Sequence, residues 1–200
     1  MRFRYPSSFL KLLLVGFAFA IVPLLWVFAN ANIAFDKLAE QSQITISNSV
    51  IATRSGRVLQ EQLSLMERSS KQYFVLQDNV LFNNYSQANI KFNEAISQLK
   101  YLANTLKQHK NLQLLSTKIS ELNQAMLSAK QKNGPDLSFL NNFSQITQLV
   151  EMLVQENNLA IDTASSQLKL TVQKTQKKLF LQSLILIPLA LLVAGTITYL

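Results

Sequence analysis

The chain has 200 residues with no cysteine, one histidine and four scattered glycines. That excludes a disulfide framework, a thiolate nucleophile, a cysteine zinc site, a His-pair metal centre and any glycine-rich phosphate or dinucleotide loop. The formal net charge of +8 raises nucleic acid as a partner, but the lysines are dispersed over many turns and the apolar flanks described next point to a membrane, so no nucleic acid is expected.

Residues 1–11 carry Arg2, Arg4 and Lys11 and no acid. Residues 12–29 are then almost purely apolar, and eighteen residues of helix cover about 27 Å against a hydrocarbon core of about 30 Å. A first transmembrane helix is assigned to residues 12–31, with Pro23 inside it, which membrane helices tolerate. Ala29-Asn30-Ala31 has the small-x-small form that signal peptidase reads, so a cleaved signal peptide is the other reading. The apolar run exceeds the 7–15 residues of a signal-peptide core, which favours an uncleaved anchor.

Residues 32–178 hold all eleven acids and sixteen of the nineteen basic residues, which is a polar domain of ordinary size. Only Gly56, Gly134 and Pro135 interrupt a composition of helix formers, and no hairpin dipeptide separates alternating runs. The first helix is expected to run from the first span to about Gln77. Leu59, Leu63, Met66 and Tyr73 mark one face of it, and Arg54, Arg57, Glu61 and Arg68 the opposite one. A break near Gln77-Asp78-Asn79 precedes a shorter helix marked by Tyr85, Phe92, Ile96, Leu99 and Leu106. A second break, near residues 108–111, precedes another marked by Leu112, Leu115, Ile119, Leu122 and Met126. The strongest break is Lys132-Asn133-Gly134-Pro135-Asp136, where Gly ends a helix, Pro forbids its continuation and Asp136 can cap the next.

The last helix carries an apolar seam of coiled-coil type: Phe139, Phe143, Ile146, Val150, Leu153, Asn157, Ala160, Ala164, Leu168, Val172, Thr175 and Leu179. Asn157 is its polar exception. The seam runs without a breaker into a second apolar stretch, residues 179–200, assigned as the second transmembrane helix. At 1.5 Å per residue the outer helices of the polar region reach about 60–70 Å and the inner two about 30–45 Å. The fold class is therefore all-α: a membrane-anchored antiparallel four-helix bundle whose long first and last helices continue into two transmembrane helices. A two-helix stalk is left near the bilayer, and its exposed seam invites a homodimer.

Topology follows from the N-terminal charges, which predict a cytoplasmic N-terminus and a periplasmic middle domain. Lys169, Lys174, Lys177 and Lys178 flank the second span on its outer side and oppose this. The rule weakens for long translocated domains, and lipid phosphates can accept those lysines.

Chemistry is sparse. His109 lies in a polar Lys107-Gln108-His109-Lys110 segment, read as a turn with a solvated side chain. Glu151 and Glu156 do not share a helical face and the other acids read as isolated, so no carboxylate pair converges for acid–base work. No catalytic residue, cofactor or metal site is expected. The one candidate surface is the face of Arg54, Arg57, Glu61 and Arg68, which could meet an anion or an acidic partner. Its plain reading is a solvated helix face with Arg57 and Glu61 paired at i,i+4.

Met66-Glu67-Arg68-Ser69, followed by Gln72-Tyr73 and Val75-Leu76-x-Asp78, resembles the extracytoplasmic sensor of the QseE/GlrK-type two-component sensor histidine kinases. Pro6-Ser7-Ser8-Phe9-Leu10-Lys11-Leu12-Leu13-Leu14 with Pro23-Leu24-Leu25 resembles their first membrane anchor, and Gly134-Pro135-Asp136 a turn of that family. The resemblance implies a signal-sensing and transmission module of the bacterial inner membrane, with an outer-membrane lipoprotein as a possible partner of the periplasmic domain. Neither a phosphoacceptor histidine nor an ATP-binding motif occurs in residues 1–200, so no enzymatic activity is expected of this chain; kinase activity would belong to a full-length protein. A chemoreceptor-type sensor domain and a membrane-tethered helical scaffold share the same plan, and the sequence past Leu200 would discriminate among the three.

Overall fold

A computed structural model describes residues 7–103, 105–131 and 140–199. Among these every regular element is helical: α1 (Ser7–Leu76), α2 (Asn79–Leu102), α3 (Leu106–Gln131) and α4 (Asn141–Tyr199). Three expected features, the break at residues 132–136, the Asp136 cap and Phe139 on the seam, lie outside the described residues.

The turns follow from capping chemistry. At the end of α1, Gln77 takes φ 56°, a left-handed conformation that a side chain disfavours, while its N–H still donates to Tyr73 O at 2.8 Å. Asp78 follows as N-cap, its carboxylate accepting from Val80 N at 2.8 Å. The second break falls earlier than expected. Thr105 Oγ1 accepts from Gln108 N at 3.2 Å and Gln108 Oε1 from Thr105 N at 3.3 Å, a reciprocal capping box. That box opens α3 at Leu106, which is 92% exposed rather than a core residue of α2. Lys107, Gln108 and His109 are accordingly helical, not a turn.

The chain divides into two compact units, Thr45–Ala164 and the paired segments Met1–Ile44 with Ser165–Leu200. The first unit contains parts of all four helices around one core. The helices alternate in direction, as short connections demand. Tyr73 and Phe82 pack with ring centroids 5.6 Å apart beside the α1–α2 turn, whereas Ser55 Oγ donates to Gln98 Oε1 at 2.7 Å near the other end of the same pair. Between α3 and α4, Asn111 near the start of one bonds Glu156, well along the other. Apart from Leu106 and the seam positions beyond Leu153, the described core residues expected of the four helices are buried, Phe92, Leu115, Ile119, Met126 and Ile146 almost completely.

Burial in this unit keeps a seven-residue period. On α1, Ala52, Leu59, Met66 and Tyr73 form one buried row, and Gly56, Leu63 and Ser70 another. On α4, Phe143 and Val150 are seven apart, as are Ile146 and Leu153. This is the spacing of knobs-into-holes packing. Gly56 belongs to it through its size, since a Cβ there would stand 3.2 Å from Val154 Cγ2. A polar ladder crosses from α2 to α3 inside the unit. Tyr85 Oη donates to Asn123 Oδ1 at 2.5 Å, and Asn123 Nδ2 donates to Asn89 Oδ1 at 3.0 Å. Burial pushes the Tyr85 phenol far above its ordinary pKa, so it stays a donor.

The second unit holds only α1 and α4 segments, and its period differs. On α1 the half-buried positions Pro23, Val27 and Ala31 recur eleven residues later as Ala34, Leu38 and Ser42. On α4 Leu168, Val172 and Thr175 lead to Leu179, Ser183 and Leu186, again eleven later. Eleven residues in three turns make 3.67 per turn, which favours straight or right-handed pairing where a heptad favours left-handed. The eleven-residue row on α4 is entered at Leu153, Asn157 and Ile161. Ala160, expected on the seam, is therefore exposed and Ile161 takes the position.

Large apolar side chains of this unit face outward, Trp26, Phe28, Phe180, Ile185 and Leu192 each being at least 60% exposed. Within the helical stretch Ile21–Leu76 lies an eighteen-residue window of mean hydropathy 1.3, none of it buried, which is long and apolar enough to cross a membrane.

Candidate functional site

The exposed face of α1 in the four-helix unit is built by default. Ala52, Gly56, Leu59 and Leu63 take the core side of the helix, and 100° per residue sends Arg54, Arg57, Glu61 and Arg68 outward. All four are exposed. Arg57 Nε lies 3.4 Å from Glu61 Oε1 with both side chains more than half exposed, an ion pair worth about 0.3–0.5 kcal/mol. Arg54 and Arg57, one turn apart, line a shallow groove with Ser49, Val50 and Thr53. Arg68 is not part of the groove: fourteen residues beyond Arg54, it stands about 21 Å along the axis and makes no ion pair among the described residues.

Sequence spacing missed a second cluster. Glu156, weighed above only against Glu151, lies 2.6 Å from Lys107 Nζ through Oε1 and accepts from Asn111 Nδ2 at 3.0 Å through Oε2. Its side chain is only 17% exposed. The Lys107 ammonium, helped by Asn111, holds its carboxyl below the usual range against the opposing effect of desolvation. Forty-five or more residues separate Glu156 from its partners, so no local pattern announces the cluster; only the register of α3 against α4 creates it. Beside it, the buried Asn157 Nδ2 has no hydrogen-bond partner.

Towards the α1–α2 turn, Lys130 Nζ sits 3.5 Å from the centroid of the Phe82 ring and 6.0 Å from that of Tyr73. A cation over these faces ties α3 to the turn. His109 is exposed in the first turn of α3 with Nδ1 3.0 Å from Thr105 O. Among the described residues no three His, Cys, Asp or Glu side chains gather as metal ligands would. The arrangement exposes charge on the α1 face. Compared with known protein families, curated proteins and solved structures, the chain matches none.

Proposed function

We propose that this chain is the signal-sensing and transmembrane-transmission module of a two-component sensor histidine kinase. It would sit in the bacterial inner membrane with the four-helix unit in the periplasm. The observation that carries the reading is α4, one uninterrupted helix over Asn141–Tyr199. Its first turns supply Phe143, Ile146, Val150 and Leu153 to the core, and further along Phe180, Ile185, Leu189 and Leu192 are apolar and outward-facing. A helix shared by a packed bundle and a lipid-facing end can convert a change in one into a displacement of the other. Exposed Trp26, Phe28, Phe180 and Ile185 support a bilayer as the surrounding medium, because water would penalise so large an apolar surface. Arg2, Arg4 and Lys11 support a cytoplasmic N-terminus.

In this reading the signal acts on the four-helix unit, through its exposed α1 face of Arg54, Arg57, Glu61 and Arg68 or through a bound lipoprotein, and two copies associate. A signal biases the helix arrangement only as far as it binds one arrangement better than the other. The test is an insertion of two glycines between Lys174 and Lys177 in a protein whose signalling output is measured. Gly costs about 1 kcal/mol each in a helix and breaks its rigidity there. Output should become independent of the signal while the four-helix unit keeps its melting transition. Undiminished signal-dependent output would overturn transmission through α4.

A further inference from the structure

The groove on α1 has a chemistry of its own. It is open to solvent, with a volume of about 450 Å³. Two guanidinium groups one turn apart border it, and no acidic side chain lines it. Arg54 makes no ion pair among the described residues, and Arg57 approaches Glu61 with its Nε at 3.4 Å, so the Arg54 fork is free to meet an anion. Val50, 59% exposed, adds an apolar surface between them and the Ser49 side. The Ser49 hydroxyl donates back to Thr45 O at 2.7 Å, which leaves Thr53 to present a hydroxyl to an occupant.

We propose that this groove binds a small organic carboxylate with an apolar body. The carboxylate would lie across the Arg54 and Arg57 forks, which match its two oxygens in plane, and the body would cover Val50. Exposed charge alone holds any anion weakly and is screened by salt; contact with Val50 is what selects an apolar carboxylate over inorganic phosphate or acetate. The proposal names the ligand class for the α1 face and rests on the sensory reading for its purpose alone, since binding is measured without any signalling output.

Benzoate is the probe, titrated by calorimetry and ligand-observed NMR into the full chain in detergent micelles at physiological ionic strength, with acetate and phosphate in parallel. Saturable benzoate binding is expected with Kd of about 1 mM, some −4 kcal/mol, and at least fivefold weaker binding of acetate and phosphate. Arg54→Gln with Arg57→Gln should weaken benzoate at least tenfold. Val50→Ser should weaken benzoate and leave acetate unchanged, and Arg68→Gln, outside the groove, should change neither. Non-saturable uptake, phosphate binding equal to benzoate, or benzoate binding untouched by the double arginine variant would each overturn the assignment. A failure of the membrane arrangement would leave this binding intact, so the two readings fail separately.

Discussion

The two compact units use the same two long helices in different ways. In Thr45–Ala164, α1 and α4 gain α2 and α3 as neighbours, and four apolar stripes enclose positions with almost no exposure, such as Leu59, Phe92 and Ile146. In Met1–Ile44 with Ser165–Leu200 only two helices meet, and the described facing positions reach half-burial at best. Two helices cannot enclose a core, because each has one covered face and a much larger open one. The large apolar residues left outward there, Trp26, Phe28, Phe180 and Ile185 among them, are what the proposed bilayer would cover. The periods differ too, seven residues over Ala52–Tyr73 and Phe143–Leu153 and eleven along α4 from Leu153 onward and over Pro23–Ser42.

That contrast can be broken by substitution. The largest effect is expected at the centre of the four-helix core, where Phe92→Ala should cost about 3–5 kcal/mol in chemical denaturation. The half-buried Val27 should lose under about 1 kcal/mol on truncation to Ala in detergent, having no closed cavity to leave. Equal losses at the two sites would remove the distinction between the units.

Charge insertion sharpens the same point. Ile185→Arg should disfavour membrane insertion by about 2.5–3.5 kcal/mol, read as a fall in the membrane-integrated fraction. Leu127→Arg, at an outward, 51% exposed apolar position of the four-helix unit, should change stability by under about 0.5 kcal/mol.

Smaller effects belong to the turns and the buried carboxylate. Gln77→Gly relieves a left-handed residue and should stabilise the four-helix unit by about 1 kcal/mol, visible as a raised urea midpoint. Glu156→Gln should destabilise at neutral pH by removing the charge paired with Lys107. Because the folded pKa is depressed, the advantage of Glu156 is full above the ordinary glutamate value, about 4.3, and disappears as pH falls through the lowered folded value. Stability curves of the two proteins that stay parallel from pH 7 to pH 2 would show that the pairing does not contribute.

What the sequence makes legible is local. Leu112, Leu115, Ile119, Leu122 and Met126 stand on one face because backbone geometry alone sets a period of three to four residues, and all five are buried. The opening of α3 is equally local, since Thr105-Leu106-Lys107-Gln108 has the capping-box spacing, yet the apolarity of Leu106 points instead to α2. Ala160 and Ile161 show a subtler limit: heptad counting selects the alanine, but a change of period from seven to eleven selects its neighbour. Glu156 with Lys107 and Asn111 is not legible at all, because it exists only through the register between two helices. Of the candidate face, the outward placement of Arg54, Arg57, Glu61 and Arg68 is readable, while the groove that joins Arg54 and Arg57 to Val50 but leaves out Arg68 is not.

The most direct test of the membrane arrangement exploits the absence of native cysteine. Single variants Ser8→Cys, Ser128→Cys and Tyr199→Cys would be probed in cells with a permeabilised outer membrane, using a maleimide that cannot cross the inner membrane. Labelling of Ser128→Cys in intact inner membranes, and of Ser8→Cys and Tyr199→Cys only after lysis, is the predicted result. Labelling of all three from outside, or of none before lysis, would contradict a chain that crosses the membrane twice with its four-helix unit in the periplasm.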